Sequence, residues 1–250
     1  MILYDETTWP TDVLHYLERH HDIFLSWEQE RIDQPPKIQV SGNTYDTAIY
    51  GLREILSKYN LRGFHCARLT ENETAEIVNN GMTPQNGITL KERINKLQSA
   101  KIINDKIAKR LKSENQADEE NRARMIWFCF FPPYKAEQEG IERFFRSWGG
   151  EALYNSHEDD NETGAVLRKI GVPCVVEAEV PISGNPHTFL ETKMTRVFLK
   201  NRGLNTSECI DHEAYSSKHI PPKNILRVYR YPEKEFIDLT RSDKWNPALE

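Results

Sequence analysis

No stretch of this sequence is apolar for the roughly 20 residues a membrane-spanning helix needs, so no membrane partner is expected. The start, MILYDETTWP, has neither a basic segment nor a small-residue cleavage site, and no signal peptide is expected. Cysteines are few and scattered, at 66, 129, 174 and 209, with no CxxC pair. That usage predicts reduced thiols and a cytoplasmic protein. No GxGxxG opens a helix after a strand, which argues against a Rossmann dinucleotide site, and neither GxxxxGK[ST] nor GxSxG occurs. Positive charge is also in deficit: 33 Lys and Arg against 38 Asp and Glu leave a net charge of -5. Such a chain does not hold nucleic acid by bulk electrostatics, and only a local basic groove is left to it.

What is present suffices for a core. Hydrophobic residues make up 38% and aromatics 10% of 250 residues, the size of one large domain or of one domain with a small appendage. Apolar spacing predicts a helix over Thr11–Gln34, stopped by DQPPK, and a second over Thr44–Tyr59. A strand, Gly63–Leu69, runs into a helix whose start is marked by Thr70 with Glu73, a capping box, and whose end is marked by Gly81. A third helical pattern covers Thr89–Lys112, and SENQADEENRAR reads as a solvated loop or frayed helix end. The strand MIWFCFF stops at Pro132–Pro133. A helix over Glu137–Arg146 leads into WGGEALY. The acidic loop NSHEDDNETG precedes the strand PCVVEAEVPI, TRVFLK is read as a short strand, and HEAYSSKHIPPKNILRVYRYP as strand, Pro-Pro turn and final strand. Helices come mainly first and strands later, so the expected class is α+β rather than a doubly wound parallel sheet.

Three groups carry possible chemistry. In GFHCARL, His65 reads by spacing alone first as a core histidine satisfying a backbone carbonyl and second as a ligand contact. In MIWFCFF most residues are core, but Trp127 needs a partner for its N–H if buried. Glu213, in HEAYSSKHIPP, reads as a solvated edge carboxylate or, beside His212, Tyr215 and a rigid Pro-Pro turn, as a functional one. WGGE adds a weaker signal, since its glycines also suit a helix end and Glu151 the next helix start. Cys209 and His212, with His219 beyond, have a spacing a metal can use, but no second cysteine is near and no metal is expected.

In this order, the groups resemble the ADP-ribosyltransferase superfamily, in the His-Tyr-Glu branch shared with poly-ADP-ribose polymerases and diphtheria-like bacterial toxins. The family's opening strand and helix correspond to FHCARLTENETAEIVNNGMTP, its second strand to IWF at Ile126–Phe128, and its third motif to Glu213 followed by HIPPKNILRV. The resemblance covers about Leu61 to Val228. It departs in two places: Ala67 occupies the usual Ser/Thr position, and Trp127 the tyrosine position. It implies an ADP-ribosyltransferase-like split antiparallel sheet with flanking helices, residues 1–60 forming a helical segment on a catalytic domain of residues 61–250. It implies NAD as substrate, with Glu213 catalytic and His65, Cys66, Ala67, Trp127 and Tyr154 around the dinucleotide. Stand-alone cytosolic members of this kind point to a toxin or phage-defence effector, with an antitoxin as a further partner. The expected acceptor is nucleic acid, RNA ahead of DNA, with protein as runner-up. Its expected contacts are Arg143, Arg146 and Trp148, Trp148 and Tyr154 offering faces to an unpaired base. Lys106, Lys109, Arg110 and Lys112 crowd one helix end, and Arg122 and Arg124 precede the IWF strand. Two alternatives share the fold: an NAD glycohydrolase, or an RNA 2′-phosphotransferase using Arg68 and Arg124 for phosphate. A third is a catalytically silent binding module.

Overall fold

The computed structural model describes residues 1–204, 210–247 and 249. In chain order its elements are α1 (Thr11–Arg19), α2 (His21–Arg31), α3 (Gly42–Leu56), β1 (Asn60–Leu69), α4 (Glu71–Asn80), α5 (Gly87–Ser99), α6 (Asp105–Ser113) and β2 (Ile126–Cys129). They continue with α7 (Glu137–Arg146), α8 (Glu151–His157), α9 (Thr163–Leu167), β3 (Val172–Pro181), α10 (Leu190–Lys200), β4 (Glu213–Ser216), β5 (Ile225–Arg230) and α11 (Lys234–Thr240). The class is α+β, with an open antiparallel sheet in the order β4-β2-β1-β3-β5 and flanking helices. Strand β3 pairs with β5 from Cys174↔Arg230 to Ala178↔Ile225, with a bulge at Glu177/Ala178.

Local chemistry accounts for most boundaries. Thr70 accepts the Glu73 amide while the Glu73 side chain accepts the Thr70 amide, the reciprocal cap that starts α4. That helix ends at Gly81, whose φ of 82° is costly for any residue with a Cβ. A Cβ there would also strike the Ile220 carbonyl oxygen. Met82 and Ile220 exchange two backbone hydrogen bonds of 2.9 Å, so Gly81 lets the helix exit lie against the segment before the Pro-Pro turn. Gly81→Ala is therefore expected to destabilise by more than about 1 kcal/mol, because strain and collision add; urea unfolding measures it.

Three expected elements turn out differently. The first helix divides at His20, which ends α1 and opens α2: its amide donates to the Tyr16 carbonyl, its ring nitrogen Nδ1 lies 2.9 Å from the same oxygen, and its carbonyl accepts from Ile23 and Phe24. Thr89–Lys112 divides as well, since Lys101 is left-handed (φ 58°) and Asn104 caps a new helix through the Ile107 amide. TRVFLK is helical, within α10. Leu190, Met194, Val197 and Phe198 repeat at helical spacing and are all buried, and that stripe overrides the β preference of Thr, Val and Phe.

The chain divides into two compact units. One comprises Met1–Arg62, Cys129–Phe131 and Val180–Ala214, and the other Gly63–Phe128, Pro132–Glu179 and Tyr215–Glu250. In the first, α2, α3 and α10 pack together around Phe24, Leu52 and Phe198, all fully buried. A buried ion pair crosses that core: Arg196 Nε donates to Glu28 Oε2 at 3.1 Å, the side chains being 5% and 2% exposed. In the second unit, α5 packs on α6, and Leu90, Ile94, Leu97, Ile107 and Leu111 share a cluster with Trp148.

Candidate functional site

Strand alternation sorts the three groups. Along β2, Ile126 and Phe128 point into the core and Trp127 between them is 44% exposed, as period-two geometry dictates. Along β4, Ala214 and Ser216 are buried while Glu213 is exposed and Tyr215 half-exposed, so Glu213 and Tyr215 share one side. The Trp127 and Tyr215 rings meet at 5.0 Å between centroids and 57° between planes, a tilted aromatic pair that leaves part of the indole face open.

His65 is half-buried on β1, and its Nδ1 lies 2.8 Å from the Trp127 carbonyl oxygen. Only a protonated Nδ1 makes that bond, so the neutral ring presents Nε2 as an acceptor. Desolvation lowers the pKa of His65, the carbonyl bond opposes this, and the Arg93 charge adds to the lowering. The ring thus stays neutral at physiological pH. Satisfying a carbonyl is the core role that spacing alone favoured, but the bond occupies one nitrogen only. Cys66 and Ala67, next on the strand, are half-buried.

Glu213 opens β4, and its backbone is held from behind. His212 is 3% exposed, its carbonyl accepts the Phe130 amide at 2.9 Å, and its Nε2 lies 3.2 Å from Nδ1 of His187. Burial drives both imidazoles to low pKa values, His212 to about 3 and His187 to about 4, so the pair is neutral. Glu213 keeps an exposed flank, yet partial desolvation and then the Asp211 charge raise its carboxyl above the ordinary value.

Other expected residues lie elsewhere. Trp148 is fully enclosed: its Nε1 donates to Glu73 at 2.9 Å and Arg93 covers its ring at 4.6 Å. It has no face for a base, which corrects its expected acceptor role. Tyr154 is 6% exposed, donates to Glu151 and lies 3.9 Å beneath the Arg143 guanidinium; burial and the Glu151 charge push its pKa to about 12. It is packed in the second unit with the Arg143 guanidinium over its ring. Arg143 is paired with Glu158 and Arg146 with Glu142, so neither is a bare cation. Arg68 is buried and donates to the carbonyls of Ile170 (2.9 Å) and Phe145 (3.1 Å). Among the described residues no three His, Cys, Asp or Glu side chains cluster as metal ligands; Cys209 lies outside them. Tyr215, two residues beyond Glu213, is the aromatic side chain that meets Trp127, a contact the spacing within one strand does not reveal. Among the described residues no helix is long and apolar enough to cross a membrane.

Comparison with protein-family models, curated proteins and solved structures finds no match.

Proposed function

We propose that this chain is an NAD-dependent ADP-ribosyltransferase, a toxin or phage-defence effector acting on nucleic acid with RNA preferred. The observation that carries the reading is the exposed Trp127 ring, paired with Tyr215, on the strand whose carbonyl at the same residue fixes the His65 tautomer. The ordered motifs described above support it. Trp127 is suited to stack on nicotinamide, His65 Nε2 to accept a hydrogen bond from the adenosine ribose, and the backbone at Cys66 to hold the carboxamide.

The chemistry suits one carboxylate. Nicotinamide leaves a cationic glycosidic nitrogen as a neutral molecule, taking the bonding pair, so no general acid is required where a glycosidase needs two carboxyl groups. The ribose passes through an oxocarbenium-like state, and an acceptor nucleophile then bonds to its anomeric carbon. Ionised Glu213 stabilises the developing positive charge through the ribose hydroxyl.

Incubation with NAD is expected to release nicotinamide, and labelled NAD is expected to mark nucleic acid in a lysate. Absence of nicotinamide release under all conditions would leave a silent binding module; release without label on any acceptor would leave a glycohydrolase. Trp127 supplies a sharper test. Its exposure means that Trp127→Ala lowers stability little, while loss of the stacked ring weakens NAD binding by about 1–3 kcal/mol, roughly five- to 150-fold. Trp127→Tyr restores most of it. Thermal melts with and without NAD measure both quantities. Equal NAD affinity in Trp127→Ala and wild type would remove the indole from the site.

A further inference from the structure

Two short helices of the second unit flank a shallow, open groove of about 440 Å³ that the NAD chemistry does not use. Lys91 and Gln98 line it from α5, and Asp105, Ala108, Lys109 and Lys112 from α6. The spacings follow from helix geometry: Lys91 and Gln98 are two turns apart on one face, as are Asp105 and Lys112, giving walls roughly 10 Å long. Ala108, small and buried, leaves the floor low.

The cations around this groove divide into two sets. Arg93, Lys96, Lys106 and Arg110 each hold a carboxylate: Glu73, Glu76, Glu162 and Asp160 respectively. Lys91, Lys109 and Lys112 have no carboxylate partner among the described residues, and these are the three that line the groove. Lys112 is half-buried, its ammonium donating to Gln98 Oε1 at 3.1 Å, while Gln98 Nε2 donates to Asp105 at 2.8 Å. Gln98 thus links Lys112 to Asp105, and the three lysines less that one carboxylate leave the lining with a net positive charge.

We propose that this groove binds single-stranded nucleic acid through its phosphates. Three separated ammonium groups suit a string of phosphates better than one small anion. A lone anion is held by convergent donors, such as an arginine fork or a helix N-terminus, and the groove has neither. A flexible single strand can bring successive phosphates to these three ammonium groups, whereas the fixed phosphate spacing of a duplex cannot adapt to them. The placement keeps Lys109 and Lys112 of the expected cationic cluster and leaves out Arg143 and Arg146, which are paired with Glu158 and Glu142. The inference extends the acceptor side of the reading above and does not depend on NAD.

The test is fluorescence anisotropy with a labelled, unstructured RNA of 12 nucleotides, without NAD. Three phosphate contacts predict a slope of log affinity against log salt of about -2, roughly a 20-fold loss from 50 to 200 mM salt. K91E/K109E, which changes two exposed side chains, is expected to lose more than tenfold in affinity and most of the slope, with an unchanged melting temperature. A duplex of the same length should bind at least tenfold more weakly, and millimolar inorganic phosphate should not compete. Unchanged RNA affinity and slope in K91E/K109E, equal duplex binding, competition by inorganic phosphate, or binding of an acidic protein in place of RNA each overturns the proposal. Nicotinamide release without acceptor, followed in the same variant, reads the NAD chemistry separately. Release that persists while RNA binding is lost keeps the two apart and supports the groove; wild-type RNA binding without any nicotinamide release removes the NAD reading alone.

Discussion

Replacing Glu213 with glutamine is expected, on the proposed transferase reading, to reduce ADP-ribosyl transfer by about a hundredfold or more while leaving the fold intact. The substitution keeps the shape and removes the charge. Only interactions stronger in the transition state than in the ground state accelerate the chemical step, and charge opposite a forming oxocarbenium ion is such an interaction. NAD affinity should therefore fall far less than turnover. The pKa of Glu213 adds an internal control. Its carboxyl is raised by partial desolvation and by Asp211, so the folded chain holds that proton more tightly than the unfolded chain does. The ionised form thus weakens folding above the raised pKa, and this disadvantage is relieved as pH falls through it. Glu213→Gln should accordingly be at least as stable as wild type near neutral pH, and a melt separates lost chemistry from lost fold. Activity should rise with pH through the raised pKa as Glu213 ionises. Asp211→Asn removes a like charge and should move that acidic limb to lower pH. A glutamine variant with near wild-type turnover would sink the mechanism.

Replacing Arg196 with methionine should destabilise the first unit by about 3–5 kcal/mol. Arg196 on α10 and Glu28 on α2 are both almost fully buried and paired at 3.1 Å. Glu28 Oε1 is already buried with no hydrogen-bond partner among the described residues. Removing the guanidinium would leave a whole carboxylate without compensation in a low-dielectric core, and that loss exceeds the net worth of the pair. The expected reading is a large drop in urea midpoint and a melting temperature lower by roughly 2–4 °C per kcal/mol. The double variant Glu28→Leu with Arg196→Met removes both charges and should recover much of the loss. A single variant as stable as wild type, or a double variant no better than the single, would contradict this account.

Local sequence was enough wherever a short-range interaction decides the structure. The Thr70–Glu73 cap, the glycine stop at Gly81, the alternation that exposes Trp127 between Ile126 and Phe128, and the Pro-Pro turn each depend on residues a few positions apart. The same alternation made Glu213 legible as an outward residue. The helix breaks at His20 and Lys101 were less legible, because apolar periodicity continues across them and only backbone and cap geometry marks the division. TRVFLK failed as a strand because burial of the whole α10 stripe, not the propensity of six residues, sets its conformation.

What only the tertiary structure decided is which partners the polar side chains find. His65 and Trp127 are 62 positions apart in sequence, and the bond between them fixes a tautomer that no spacing encodes. Trp148 and Tyr154 read as exposed aromatics but are closed in by Glu73, Arg93 and Arg143. The basic residues look alike in sequence, yet Arg143, Arg146 and Arg110 are neutralised by carboxylates 4 to 50 positions away while Lys91, Lys109 and Lys112 are not. Periodicity is set by neighbours along the chain and survives in one dimension. The compensation of a charge depends on which acid folding brings within about 4 Å, and that exists only once the chain is packed.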